Sequence, residues 1–392
     1  MAKAPSDNQP FLIARGGPFY DLQLKAKLVH TTGLNPLVRA VTFVAVAWGI
    51  PFVLSLAAGT AFGPLEARPF LLDPGAWARF FLAIGLLVLA ETQIEEHLRE
   101  GVRQLFDGRL LAAGSLAPAR AAVAKALNRR NSSLAELVCL LLAVFASWYF
   151  VTIMRSDASP SWTVSINDAG NSPSPAAWWS IIVSNTLFWF LVGRALWRHI
   201  IWSLLLGTLS RLETRLVATH PDGHAGLGFV GKYPNAYVLF TVAVSCVISA
   251  AVTHQVLHGT FTASAIGTVM GIWLILIYAY FGIPLAGFMR LLTVLKRRTL
   301  LAAAARGTEY QRQAERNTLG ENVFATEDKA SDDDIPDPGK FYEAAKKLSP
   351  MLVTRATLVP VSAAALLPFV AVGLTQLPLK ELTPILKHLL VL

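Results

Sequence analysis

Six stretches of this chain, residues 40–61, 78–93, 134–154, 178–197, 236–257 and 266–291, are too apolar and too poor in charge to be surfaces in water. A helix that crosses the hydrocarbon layer of a bilayer, about 30 Å thick, needs about 20 mostly apolar residues. Five of the runs reach that length. The second is short and is expected to continue as helix beyond the membrane surface. A seventh run, 356–377, is long enough and uncharged, but Pro360 and Pro368 interrupt it, and proline bends a helix and removes a backbone hydrogen bond. A seventh span with the C-terminus outside is the expected reading there, and a re-entrant or membrane-surface segment is the alternative. Composition agrees with the runs. The chain of 392 residues is 54% hydrophobic and 15% charged, against roughly 25% charged in soluble domains. The expected fold is an all-α membrane protein: a polytopic helical bundle of six to seven transmembrane helices, with amphipathic helices on its surface.

The formal net charge of +9 raises the question of nucleic acid, and the placement of the charges answers it. Of the 34 Lys and Arg residues, 29 fall in the N-terminal segment and in alternate connections, and five on the other side. Positive residues stay on the cytoplasmic side of spans. The N-terminus is therefore expected inside, with the basic surface facing anionic inner-leaflet lipid, and nucleic acid is not an expected partner. The organisation that follows is a cytoplasmic segment 1–39 and a six-helix domain 40–293 with inner connections 94–133 and 198–235. A cytoplasmic helix and acidic linker occupy 294–355, and a membrane-associated segment with an amphipathic tail occupies 356–392. Residues 1–21 lack the continuous apolar core of a cleavable signal. Cys139 and Cys246 lie inside apolar runs and form no disulfide framework.

Within the connections, 94–133 reads as amphipathic helix on the inner surface, broken near Gly114 and Pro118. The outer segment 156–176 is rich in Ser, Pro and Asn and reads as a loop without a core of its own. The stretch 315–340, with Asp332, Asp333 and Asp334 adjacent, reads as a mobile linker. Leu379, Leu382, Leu386, Leu389 and Leu390 share a stripe suited to an interface or to the bundle.

The stretch HPDGHAGLGFVG, His220 to Gly231, carries more chemistry than a connection needs. Gly226-x-Gly228-x-x-Gly231 has the form of a dinucleotide fingerprint, but that motif requires a strand before it and a phosphate-binding helix after it. Here a helical pattern precedes it and a membrane run follows. His-Pro-Asp is also the tripeptide of J-domain co-chaperones, where it joins two helices of a separate soluble domain. His220, Asp222 and His224 offer metal ligands that would need a fourth from Glu91, Glu95, Glu96 or His97, and Pro221 and Gly223 enforce a turn that keeps the three from converging. The remaining reading is a rigid corner. In it Pro221 ends a helix, Asp222 caps turn amides and the glycines allow positive φ.

The run RALWRHIIWSLLLGTLSRLETRLVATHPDGHAGLGFVG resembles a hallmark of a family of uncharacterised bacterial polytopic membrane proteins. In these a Trp-Arg-rich helix leads into His-Pro-Asp, two variable residues and Gly-Gly-Leu-Gly-Phe-Leu. ETQIEEHLREG and LLPFVAVGLTQLPLKEL also resemble that family, so the likeness covers most of the chain. His220, Pro221, Asp222, Gly226, Gly228 and Phe229 fit the pattern. His224 departs from it, and Ala225 stands where glycine is usual. The resemblance implies a multi-pass protein of the bacterial inner membrane and carries no activity.

Glu91 and Glu95 lie four residues apart at the inner end of the second run, and Arg194 and Arg198 four apart at the inner end of the fourth. Charges at membrane depth are costly unless paired or wetted. The four are expected either to lock helices together or to line a charged vestibule, with Arg99 competing for Glu95 along its own helix. His254 and His258, at the outer end of the fifth run, read as a solvated pair. No nucleophile has a plausible base, so the chain is expected not to be an enzyme and to need no cofactor. Three functions remain: an oligomeric channel or transport-related protein, a scaffold or sensor for a cytoplasmic partner, and a membrane metalloenzyme using His220 and Asp222. The first is preferred.

Overall fold

A computed structural model describes residues 10–30, 33–64, 67–154, 160–167, 170–257, 263–325 and 336–376. Helix α1 is Pro18–Lys25 and α2 is Pro36–Ala57; α3 is Pro74–Asp107 and α4 is Leu116–Arg130. Then come α5, Ser133–Met154, a hairpin of β1 (Val164–Asn167) and β2 (Gly170–Pro173), and α6, Pro175–Leu209. A 3-10 turn, Val230–Tyr237, leads into α7, Val238–Leu257. The last elements are α8 (Ala263–Gly282), α9 (Ala286–Leu319), α10 (Gly339–Lys346) and α11 (Arg355–Gln376).

The architecture is the expected all-α polytopic bundle. Among the described residues five helical stretches are long and apolar enough to cross a membrane, and a sixth results if Ala113–Arg130 and Ser133–Tyr149, bent by 44°, count as one span. The starts of three spans are written locally. Pro36, Pro74 and Pro175 stand in the first helical turns, where a missing N–H costs nothing. Asp73 accepts a 2.8 Å hydrogen bond from the Gly75 amide, and Ser174 a 3.1 Å bond from that of Ala177. Helix α3 does run past the apolar zone, as its short apolar run implied. The face of α5 that carries Leu134, Leu137, Leu141, Phe145 and Trp148 is exposed, the apolar exterior a bilayer requires.

Three spans contain a π-helical stretch: Ala45–Gly49 in α2, Trp77–Ala83 in α3 and Ser180–Asn185 in α6. The three pack against one another. Wider turns leave carbonyls free for side chains. Ser184 Oγ donates to the Ala47 carbonyl at 2.6 Å, and Trp179 Nε1 to that of Val46 at 3.0 Å.

The structure departs from the sequence reading in the connections. The α-helix in 94–133 stops at Asp107 and resumes at Leu116, so Gly114 lies in the break as expected and Pro118 does not, and within the break Leu110–Ala112 pairs with the other connection. The Ala112 amide donates to Glu213 O at 3.0 Å and the Arg215 amide to Leu110 O at 2.7 Å. Pro118 sits in the first turn of α4, which packs on α6 with Ala119, Val123 and Ala126 buried. The outer segment is more than a loop. Trp162 is buried, stands edge-on to Phe70 at 5.0 Å and donates to Asp73 Oδ2 at 2.9 Å. Helix α9 continues into the expected linker, and Asn322 folds back on Arg312, Glu315 and Arg316. The prolines of α11 lie inside one helix that packs on α7 and α8, and its described apolar part, Arg355–Ala371, is shorter than a span. Asp332–Asp334, the Leu379–Leu390 stripe and the side chains of His254 and His258 lie outside the described residues.

Candidate functional site

The first turns of α2 and α5 meet α3 and α6 where the apolar runs of those two helices end, and each helix brings an ionised side chain inward. Glu91 of α3 is the centre. Its Oε1 accepts from Arg194 Nη1 at 2.7 Å and from Arg198 Nη1 at 2.6 Å, and its Oε2 accepts from Arg39 Nη2. Arg194 donates through Nε to Glu136 of α5 at 3.0 Å. Arg39, Arg194 and Arg198 are 1%, 2% and 6% exposed. Buried charges persist only where each is paired and hydrogen-bonded. Here one carboxylate satisfies three guanidiniums, each from a different helical turn.

The pairing expected for Glu91 with Arg194 and Arg198 is therefore present, and Glu95 is not part of it. Glu95 turns to the N-terminal segment: its Oε2 accepts from the Ala14 amide at 3.0 Å and its Oε1 from Arg15 Nε at 2.8 Å. That segment closes the cluster with main chain. The Ala14 carbonyl accepts from Arg198 Nη2 at 2.7 Å, the Leu12 carbonyl from Arg130, and the Phe19 amide donates to Glu136 Oε2 at 2.7 Å. Phe11 and Ile13 anchor it in the core. Gly17 makes the turn at φ 87°, and a Cβ there would stand 2.5 Å from Glu136 Oε1. Gln23 holds Arg39 Nε at 2.6 Å, and Phe19 lies under the Arg194 guanidinium at 4.9 Å. Sequence reasoning missed Arg39, Glu136 and the whole of 11–19. The apolar run Phe11-Leu12-Ile13-Ala14 inside a polar stretch was the available signal.

As a vestibule within one chain the cluster is closed. Beside it lies a crevice of about 10 Å³ bordered by Ile13, Ala14, Arg198 and Tyr237, room for about one water.

The corner His220–Gly231 is built around Asp222. Oδ1 accepts from the His224 amide at 2.8 Å and the Gly226 amide at 3.0 Å, Oδ2 accepts from the Gly228 amide at 3.0 Å, and His220 Nδ1 lies 2.8 Å from Oδ1. Burial acts to raise the Asp222 carboxyl, but the Gly226, His224 and Gly228 amides and His220 outweigh it and hold it at about 2. The corner also clamps the chain ahead of α11. Ser349 donates to the Gly223 carbonyl at 2.9 Å, Thr357 Oγ1 to the Gly231 carbonyl at 3.2 Å, and His224 Nε2 lies 3.1 Å from the Met351 carbonyl. Leu227 and Ala225 are buried, whereas Pro221 is exposed and Phe229 partly so. The three candidate ligands are thus committed to local partners. Among the described residues no three His, Cys, Asp or Glu side chains gather as a metal site. No strand leads into the glycines, which removes the dinucleotide reading.

Because the Asp222 carboxyl is held below its ordinary 3.8, its contribution to stability is complete above that pH and is lost as the pH falls through about 2. Asp222→Asn should cost roughly 1–2 kcal/mol at neutral pH. In unfolding measured against pH in detergent, the gap between variant and parent should close toward pH 2; a gap constant with pH would contradict this.

A second polar layer sits toward the other end. Arg79, in the π-helical stretch of α3, donates to Asn185 Oδ1 of α6 at 3.4 Å, and Asn185 Nδ2 donates to Ser147 of α5 at 3.3 Å. Next to Arg198 on α6, on the far side of the charge cluster from Asn185, His199 is buried, with Nε2 2.9 Å from the Tyr280 carbonyl and the Tyr280 ring stacked at 3.7 Å.

Comparison with protein-family models, with curated proteins and with solved structures finds no match for this chain. The resemblance noted above therefore rests on the motif residues themselves.

Proposed function

We propose that this multi-pass membrane protein is a gated, transport-related unit of the bacterial inner membrane, functioning as an oligomer, with its basic end in the cytoplasm and its inner mouth sealed by residues 11–17. The observation that carries the reading is the closure of the Glu91–Arg39–Arg194–Arg198 cluster by the backbone of a segment that is not itself a span. Apolar packing of equal volume would hold four helix ends together as well or better. Buried pairs joined to peptide groups suit a contact that has to break and re-form. The reading assigns the chain no reaction and no cofactor. The bias of Lys and Arg supports the orientation, and the resemblance at His220–Phe229 supports the location.

Purified protein in liposomes tests it. The parent should conduct ions weakly, deletion of residues 2–17 should raise the flux, and Glu91→Gln should change it. Equal, background-level flux in all three would remove the proposal. A scaffold is the second reading, favoured by exposed Leu319, Val323 and Phe324 at the far end of α9. It requires a partner that co-purifies with the chain and is lost when 317–338 is deleted.

A further inference from the structure

His224 sits half-buried in the corner with both ring nitrogens against carbonyl oxygens. Its Nδ1 lies 2.8 Å from the Asp222 carbonyl, and its Nε2 lies 3.1 Å from that of Met351, 127 residues further along the chain. A carbonyl oxygen only accepts, so each nitrogen has to carry a hydrogen to make its contact. Neutral imidazole has a single N–H, and its other nitrogen would set a lone pair against an oxygen at hydrogen-bond distance. The doubly protonated, cationic ring satisfies both carbonyls at once. His220 differs. Its Nδ1 lies 2.8 Å from Asp222 Oδ1, a contact that the neutral Nδ1–H tautomer already makes.

The two contacts of the His224 ring differ in reach. The Asp222 carbonyl is two residues away, whereas the Met351 carbonyl belongs to the chain ahead of α11, the helix that packs on α7 and α8. Within its own segment Met351 O accepts from Ser349 Oγ at 3.2 Å, which leaves a second lone pair for His224. On the corner, the Asp222 carboxylate favours a cationic ring, and its Oδ1 accepts the His224 amide at 2.8 Å. The elements packed here bring further charges. Arg109, Glu213 and Arg215 lie on the paired connections, Lys346, Lys347 and Arg355 lie on the clamped chain, and Lys296 of α9 donates to the Leu348 carbonyl at 2.7 Å. Most of these are basic and act against the cation, so the ring stands between opposing influences. We propose that His224 is a pH-sensitive latch. Charged, it fastens the corner to the chain ahead of α11; on losing its proton it keeps the shorter local contact and lets Met351 go. Histidine is the side chain whose charge ordinarily changes between about pH 5 and 8. The latch uses no residue of the Glu91 cluster and is independent of the gating proposal.

The test follows trypsin cleavage after Lys347 in the full-length protein in detergent, at about pH 6 and at about pH 8.5, on either side of the histidine range. Each variant's rate is divided by the parent's at the same pH, which cancels the protease's own pH dependence. His224→Ala should be cleaved about tenfold faster than the parent at the lower pH, the worth of one charged hydrogen bond, and at nearly the parental rate at the higher. His224→Gln, which has no titrating ring, should behave alike. His220→Gln should give the same ratio at both pH values, because either form of His220 makes its contact. A His224→Ala ratio equal at the two pH values would overturn the proposal, as would a pH-dependent ratio that appears in His220→Gln instead. Nitrogen-15 spectra of histidine-labelled protein give a reading that does not depend on proteolysis. At the lower pH the signal missing from His224→Gln should show hydrogen on both ring nitrogens, and at the higher pH on one. A ring that is neutral at the lower pH would also overturn the latch.

Discussion

Glu91→Gln should lower the stability of the detergent-solubilised protein by roughly 3–5 kcal/mol, the usual loss when one member of a buried ion pair is removed. The reason lies in its partners. Arg39, Arg194 and Arg198 all direct an Nη toward the same carboxylate, and a neutral amide leaves three buried guanidiniums with one acceptor oxygen and an NH₂ group facing them. Arg39 is hit hardest. It is 1% exposed, and its Nη1 already has no partner among the described residues. Glu95→Gln is the informative control. Its partners are Arg15, which reaches partly to solvent, and a single peptide amide, so its loss should be clearly smaller. Thermal unfolding followed by fluorescence-detected size exclusion would rank the two. Equal losses would mean that Glu91 is not the hub.

Gly231→Ala should be the most damaging single methyl in the corner. A Cβ built there stands 2.0 Å from the carbonyl oxygen of Leu352 and 2.8 Å from its carbon. Backbone cannot swing aside as a side-chain tip can, so the chain ahead of α11 has to lift. That movement pulls Ser349 from the Gly223 carbonyl and Thr357 from that of Gly231. The cost should be about 3 kcal/mol, at the upper end for overpacking. It should also appear as new protease cleavage between residues 347 and 357. Gly223→Ala meets no atom within 4 Å and pays only for its positive φ of 68°, about 1 kcal/mol. Protection of 347–357 that survives Gly231→Ala would argue against the clamp.

The spans were legible because a helix in lipid must satisfy its own backbone groups and face its solvent with apolar side chains, and twenty such residues in a row have few other uses. The helices begin a few residues ahead of the apolar runs, at Pro36, Pro74 and Pro175, because a missing N–H costs nothing in a first turn. The Glu91–Arg194–Arg198 pairing was legible from depth alone, since both helices bring their charges in at the same level. Arg39 and Glu136 were not. Each stood at the edge of an apolar run, where a charge facing lipid headgroups and one facing the bundle look alike in sequence. The role of 12–19 was hidden for a different reason: apart from Arg15 and the Phe19 ring, the contacts described above run through peptide groups, which every residue has. In the corner, Asp222 was readable as a cap for turn amides. The left-handed Ala225, φ 56° and 1% exposed, was not, because alanine in place of glycine argues against the conformation it adopts. Its buried methyl offsets part of the roughly 1–2 kcal/mol that the conformation costs.

The partners of the Ala14 peptide lie 81 and 184 residues further along the chain. During synthesis, then, the stretch that emerges early cannot dock until the helix bearing Arg198 has been delivered to the bilayer. Arg39, Glu91, Glu136, Arg194 and Arg198 can pair among themselves first, and the peptide groups of residues 12–19 can then be added to the assembled cluster. A bulky fusion placed just ahead of Phe11 would therefore interfere with maturation at its final step, after insertion is complete.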